Sequence, residues 1–454
     1  MEEPPMRIRL IAPRMSLRPV DSEFKRRMAP PLSLLTVAAL TPASHHVELC
    51  DENVQRVDPE AQADLVGITV NVDTSTRAYE LAKAFRSRRI PVVLGGIHVS
   101  ANPEEAMRHA DAVCVGEAEG VWREILHDAR TGRLKGIYRS PRAAAGINTP
   151  PPRWDLIDPS AYLVTNVVCA SRGCPHHCEF CYNSSAYASH TFSPRPMKSI
   201  LADIAGLNSR QVLFIDDNLI GNLEWAWRLV RTLRDLDITW HGAVSANVGE
   251  HPDLLDMMRE SGCRSLFIGF ESVNGASLRD AHKHQNRVER YEALIDALHG
   301  RGIMVNASLV FGFDHDGPDV FERTVKWLTV NRVESMTAHI LTPYPGTALF
   351  ARFQKEGRIF DYSWEHYNTA RVVFTPKRMT RDELQCGYLR AYRDFYSFSS
   401  ILRRIPADDS NWMPYFLFNL GYRKFGKLAA PLAQRLGGFH AAASLGRRMS
   451  YAIA

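Results

Sequence analysis

The chain has 454 residues, 45% of them hydrophobic and 23% charged, which is too long for one ordinary core, too apolar for a disordered chain, and typical of a soluble protein of two or three domains. Net charge is +5, but residues 401–454 concentrate the excess of Lys and Arg, so the main body is near neutral and lacks the basic footprint of a nucleic-acid-binding protein. The N-terminus opens with acids and no run reaches the roughly 18 apolar residues of a membrane span, so the expectation is a cytoplasmic protein whose eight cysteines stay reduced.

The first region, to residue 140, alternates short β-rich runs with helical stretches: "MRIRLIAP", "PLSLLTVAALT", "HHVELCDE", "DLVGITV", "TRAYELAKAFRSR", "PVVLGGIHV", "PEEAMRH" and "DAVCVGEAEG". Strands alternating with helices predict βαβ units and a doubly wound, Rossmann-like parallel sheet. Residues 141–158, broken by Pro141, Pro150, Pro151 and Pro152, read as a linker. From 159 to 377 the alternation resumes through "YLVTNVVCA", "QVLFIDD", "TWHGAVSA", "SLFIGFES", "IMVNASLVFGF" and "SMTAHILTPYPG", which predicts a second, barrel-like parallel sheet of six βα repeats. Residues 378–454 read as helical and then basic-aromatic.

Four cysteines fall within "CASRGCPHHCEFCYN", directly after the first strand of the second sheet, where parallel folds place their chemistry. Cys174, Cys178 and Cys181 are separated by three and then two residues, a spacing that no single helix face can present, so a loop must wrap around a metal. Zinc in a tetrahedral site would take its fourth ligand from Cys169, His176 or His177. The spacing breaks the plant-type ferredoxin pattern, while an iron–sulfur cluster held by three cysteines leaves one iron open.

"CPHHCEFC" after a first barrel strand resembles the signature of the radical S-adenosylmethionine (SAM) enzymes, and the similarity extends through the later strands to about residue 346. The resemblance implies a partial (β/α)6 barrel in which Cys174, Cys178 and Cys181 bind a [4Fe–4S] cluster whose open iron chelates SAM. Cys169 fits none of the three ligand positions. Phe180 matches an aromatic position near the adenine, Asp216, Asp217 and Asn218 the groups that receive the amino end of SAM, and Glu271 a carboxylate for the ribose hydroxyls or the amine. Tyr344, within "TPYPGT", falls in the segment that lies against the adenine, and Ser245 with Asn247 stands where relatives carry stronger groups for the carboxylate of SAM.

The order "LGGIH…ADAVCVGEAE" ahead of such a core resembles the cobalamin-binding domain of the B12-dependent radical SAM enzymes. That likeness implies a corrinoid on the carboxyl edge of the first sheet, with Gly95, Gly96 and His98 flanking its nucleotide tail and residues 71–77, Thr74 and Ser75 among them, facing the ring. The DxHxxG motif that supplies a lower axial histidine is absent, since the first strand is followed by "APRMSLRPVDSEF". The implied activity is C-methylation of an unactivated carbon, with a radical cyclase or rearrangement enzyme as the alternative within the class and a zinc-stabilised binding protein as the alternative outside it. An electron donor such as flavodoxin or ferredoxin and a small-molecule or lipid-like substrate complete the expectation. "YFLFNLGYRKFGKLAAPLAQRLGGF" has the mixture of aromatic, aliphatic and basic residues of a segment that touches a membrane surface.

Overall fold

The computed structural model describes residues 4–140, 149–185, 192–207 and 209–424, with side chains as far as residue 420. The first sheet comprises β1 (Arg7–Ala12), β2 (His46–Asp51), β3 (Leu65–Thr69), β4 (Val92–Gly95), β5 (Ala112–Val115) and β6 (Ile137–Arg139). All pairs are parallel, in the order β2-β1-β3-β4-β5-β6. Successive side chains on a strand point to opposite faces, and the strands are apolar on both because both faces are covered. Leu10 accordingly belongs to a core shared with helices Leu32–Leu40 and Trp122–Arg130, and its neighbour Ile11 to a separate core with helix Ser75–Ser87. The order reverses between β1 and β3, which opens the crevice at the carboxyl ends where doubly wound sheets bind ligands. Strand β6 lies outside the five apolar runs of the sequence reading, being only three residues long and half polar.

The second sheet runs β14-β13-β12-β11-β10-β7 without a reversal and is parallel throughout. Its strands are β7 (Val167–Val168), β10 (Gln211–Phe214), β11 (Thr239–Ser245), β12 (Cys263–Glu271), β13 (Met304–Phe311) and β14 (Ser335–Ile340). The long run "YLVTNVVCA" contributes only two strand residues. Between β7 and β10 a short antiparallel pair, β8 (Ser171–Arg172) and β9 (Ser193–Pro194), brackets the cysteine segment.

A barrel that stops short of closure leaves an edge of unpaired backbone groups. Helix Arg381–Phe395 and Tyr396 cover it: Tyr392 Oη accepts from Ala338 N–H at 2.9 Å and donates to Ala338 O at 3.0 Å, and Tyr396 Oη does the same for Met336 at 3.1 and 2.8 Å. Further along, the fully buried Arg404 donates to the carbonyls of Val333, Glu334 and Phe395. The helical region after the barrel is thus packed on it. Of the expected linker, 141–148 lies outside the described residues, and Trp154, Leu156 and Ile157 pack against the first core. Most of the basic-aromatic segment, from 425 on, also lies outside them. No helix among the described residues is long and apolar enough to cross a membrane.

Candidate active site

The cysteine loop is held by three residues, Asp216, Asp217 and Asn218, that come one position after the end of β10. Asp216, buried, accepts from the amide of Ala170 at 3.0 Å and from both the amide and the hydroxyl of Ser171. Burial nonetheless raises its pKa to about 6. Asp217 accepts from Gly173 N–H at 3.2 Å and from Tyr182 Oη–H at 2.6 Å. Asn218 Nδ2 donates to Cys174 Sγ at 3.8 Å and to Ser245 Oγ at 3.2 Å, and Asn218 Oδ1 accepts from Ser245 N–H at 3.1 Å. The segment expected to receive the SAM amine therefore straps the loop at three successive points. Asp217 is the member of the three that stays exposed.

Among the described residues no three His, Cys, Asp or Glu side chains converge on one point as a single metal ion requires. The thiols are spread along the loop, close enough for the charge of Cys178 to oppose ionisation of Cys174 and Cys181, whose pKa values are raised first by burial, that of Cys181 to about 12. A cubane takes each thiolate on a separate iron, and this donor set fits one. Gln285 Nε2 donates to Cys178 Sγ at 3.6 Å, so two amide side chains point N–H groups at the sulfurs. Cys169, directly after β7, donates its thiol to Ser171 O and is half-buried.

Glu271 ends β12 in the left-handed region, at φ +62°, and its carboxylate meets Lys283 Nζ at 2.6 Å with both residues buried. Burial alone would depress the ammonium, but the Glu271 carboxylate and the Cys178 thiolate outweigh it, so the pKa is raised. Sequence reasoning missed Lys283. Its signal lies in "AHKHQN", where His282 and His284 are exposed and the residue between them is buried. Phe180 packs edge-on against Phe313, with centroids 5.9 Å apart. Its neighbour Glu179 pairs with Arg352, which ties the loop to the helix after "TPYPGT". Tyr344 packs against Val72 of the first domain, and burial, then the negative Asp73, raises its pKa.

On the first sheet, Gly96 has φ +113°, and a Cβ there would lie 2.8 Å from Val70 O and 2.9 Å from Val70 N. The protein's own backbone, before any ligand, demands glycine at this position. Gly95 is less constrained: its Cβ would make an ordinary 3.6 Å contact with Cys114. His98 is fully buried, with Nε2 3.2 Å from Glu105 Oε1, which also accepts from Tyr79 Oη–H and Trp364 Nε1–H. Its Nδ1 is buried without a hydrogen-bond partner among the described residues, and an orphaned polar atom beside the carboxyl edge fits a polar ligand there. Thr74 and Ser75 serve the turn itself, since Thr74 Oγ1 accepts from Asn71 N–H at 3.0 Å and Ser75 Oγ donates to Val72 O at 2.8 Å. They shape the loop that presents Val72 and Asp73.

The two carboxyl edges face each other. Beyond the Val72–Tyr344 contact, Asn368 Nδ2 donates to Ser16 Oγ at 3.1 Å, and Tyr162 Oη donates to Asp51 Oδ2 at 3.1 Å. A Cβ at Gly346 would lie 3.1 Å from that of Ala101.

Comparison with known proteins agrees with this arrangement. Residues 168–328 match the radical SAM superfamily, 27–126 the B12 binding domain, and 347–413 a domain of unknown function, DUF4070. The chain is 30% identical over 411 residues to bacteriochlorophyllide d C-8(2)-methyltransferase of Chlorobaculum tepidum, covering 85% of this chain and 89% of that one. It is 29% identical to the C-12(1)-methyltransferase of the same organism, at 87% and 89% coverage. An anaerobic magnesium-protoporphyrin IX monomethyl ester cyclase of Rubrivivax gelatinosus is 23% identical, over 82% of this chain and 72% of that one. Among solved structures, the cobalamin-dependent SAM radical enzyme OxsB shares the fold, with TM-score 0.66, 16% identity, and coverage of 93% of this chain and 72% of that one.

The chain belongs to the cobalamin-dependent radical SAM enzymes. Within them it stands with the methyltransferases, and its cofactors are a [4Fe–4S] cluster, SAM and cobalamin. The zinc-stabilised binding protein is thereby set aside.

Proposed function

We propose that the enzyme transfers a methyl group to an unactivated carbon of an apolar small molecule. The observation that supports this most directly is that the cysteine loop and the loops after β3, β4 and β5 lie on carboxyl edges that face each other, so one substrate carbon can be reached from both sides. When bound, the cluster and SAM supply a 5′-deoxyadenosyl radical that removes a hydrogen atom, and cobalamin supplies the methyl group, drawn from a second SAM.

In this reading Cys174, Cys178 and Cys181 hold the cluster, with Asn218 and Gln285 donating to their sulfurs. The exposed carboxylate of Asp217 and the Glu271–Lys283 pair receive the charged amino-acid end of SAM, and Phe180 and Tyr344 flank its adenine. Asp216 and Ser245 act through the strap and not on SAM. Gly95, Gly96 and His98 would line the corrinoid tail, and Thr74 and Ser75 would hold their loop toward the ring.

The domain division in this reading is 1–140 for cobalamin, 159–377 for the radical chemistry and 378–454 as a C-terminal region, whose described helices, to residue 424, pack on the barrel. An electron donor of the flavodoxin or ferredoxin type reduces the cluster, and the enzyme works in the cytoplasm against the membrane. Exposed Phe398, Leu402, Trp412 and Met413 in the C-terminal region support that last assignment.

Incubation with methyl-labelled SAM tests the reading. Labelled product should appear with both 5′-deoxyadenosine and S-adenosylhomocysteine, and alanine at Cys174, Cys178 or Cys181 should abolish the 5′-deoxyadenosine and the labelled product while Cys169→Ala does not. Formation of 5′-deoxyadenosine in step with substrate loss, with no label in product, would reject methyl transfer in favour of cyclisation or rearrangement.

A further inference from the structure

Arg172 lies two residues before Cys174, on β8, and its guanidinium reaches out of the barrel domain. Nη2 is 2.6 Å from Glu119 Oε1 and Nη1 is 3.5 Å from Glu117 Oε1. Both carboxylates belong to "VGEAEG", the turn that leaves β5 through Gly116 at φ +83°. The contact is partly shielded, with the side chains of Arg172, Glu119 and Glu117 31%, 17% and 34% exposed. Both ends are fixed independently. Ser171, the neighbour of Arg172, is gripped by Asp216 through its amide and hydroxyl, and Gly173 by Asp217. On the other side, Gly116 N–H donates to Ser100 Oγ at 2.9 Å, which joins the β5 turn to the helix that begins after Gly96. A continuous path therefore runs from the strap beneath the cysteines, through Arg172, to the two glycine turns of the first sheet.

We propose that Arg172 is the positioning residue that registers the corrinoid-side turn against the cysteine loop, so that hydrogen removal and methyl delivery act on one carbon. The proposal rests on the two-cofactor reading above. The guanidinium spreads its charge over two nitrogens that face different carboxylates, Nη2 toward Glu119 and Nη1 toward Glu117, a two-point ion pair that the single compact ammonium of a lysine does not reproduce. Arg172 touches neither substrate nor reacting atoms. Its effect is on coincidence, and small misplacements of this kind are costly in rate.

The test compares wild-type holoenzyme with Arg172→Met, Arg172→Lys, Glu119→Gln and the reversed pair Arg172→Glu with Glu119→Arg. Two quantities are read: the ratio of 5′-deoxyadenosine to methylated product, and the distance distribution between reduced cluster and cob(II)alamin by pulsed electron paramagnetic resonance. In Arg172→Met and Glu119→Gln, methylation should fall about 10- to 100-fold while 5′-deoxyadenosine formation changes little, and the distance distribution should broaden. Arg172→Lys should restore little, and the reversed pair should recover a substantial part of both. A narrow, unshifted distribution with an unchanged ratio in both single variants would overturn the proposal. If Arg172→Met does not fold, Glu119→Gln carries the same comparison from the opposite side. Should wild type make no methylated product at all, the function reading fails, and the distance measurement still decides whether Arg172 sets the register.

Discussion

Two six-stranded parallel sheets, built from the same βα repeat, make their sites in different ways. The first makes its edge largely from backbone: Gly96 at φ +113°, Gly116 at φ +83°, and a turn whose hydroxyls, those of Thr74 and Ser75, are spent on the turn itself. The second makes its edge from side chains. Asp216, Asp217 and Asn218 each strap the cysteine loop, and a buried ion pair sits beside it. The difference matches the groups the family binds. A corrinoid is broad and is accommodated by shape, whereas a cubane needs three sulfurs at fixed points, and fixed points require braces. Substitutions on the two edges should therefore fail differently.

The largest effect is expected at the Glu271–Lys283 pair. Glu271→Gln leaves the buried ammonium without its counter-charge and should destabilise the second domain by about 3–5 kcal/mol. The matching change on the first sheet, Glu52→Gln, breaks a pair with Arg77 that is 37% exposed on the arginine side, and should cost no more than about 1 kcal/mol. Denaturant titration of both variants measures the contrast, and equal losses would break it.

Next comes the glycine pair. Gly96→Ala forces a side chain into the left-handed region and against Val70 backbone at 2.8 Å, a strain of roughly 2–3 kcal/mol before any movement of β3. Gly95→Ala meets only an ordinary contact and should stay within about 1 kcal/mol of wild type. Thermal unfolding without cobalamin separates the backbone demand from any ligand effect. Equal stability of the two variants would show that the glycine turn is not held by its own backbone.

Much of this was legible from residue order. Strands buried on both faces read as unbroken apolar runs, and the cysteine spacing announces a loop around a metal centre. The misses have physical reasons. Strand β6 is too short and polar to stand out. An acid after an apolar strand reads equally as a ligand group or as a brace, and for Asp216 the choice depends on where Ala170 and Ser171 place their donors. Lys283 sits in a polar, histidine-rich stretch whose pattern suggests solvent, and only the fold turns it inward toward Glu271.

The smallest expected effect distinguishes the two regions by pH. Asp316, at the carboxyl end of the β13 segment, is fully buried and accepts from Ser277 Oγ–H at 2.9 Å, Gly312 N–H at 3.0 Å and Phe313 N–H at 3.1 Å, yet burial raises its pKa to about 6. The folded state thus holds a proton that the unfolded chain releases near pH 4. Its contribution to stability is present below that value and is lost as pH rises through about 6, a loss of ~1 kcal/mol between pH 5 and 7. On the first sheet, Glu52 shows the opposite sign: burial would raise its pKa, but Arg77 and the amide and charge of Arg14 together outweigh burial and lower it, so its contribution is lost as pH falls. His241, lowered to about 4 by burial, also loses its contribution as pH falls, so the wild-type profile alone mixes the signs. Asp316→Asn isolates the carboxyl group, because its lost hydrogen bonding lowers stability at every pH whereas only the titration changes the slope. Relative to wild type, the variant should therefore become less disadvantaged as pH rises from 5 to 7. Parallel profiles for the two proteins across that window would show that Asp316 is already ionised in the folded enzyme.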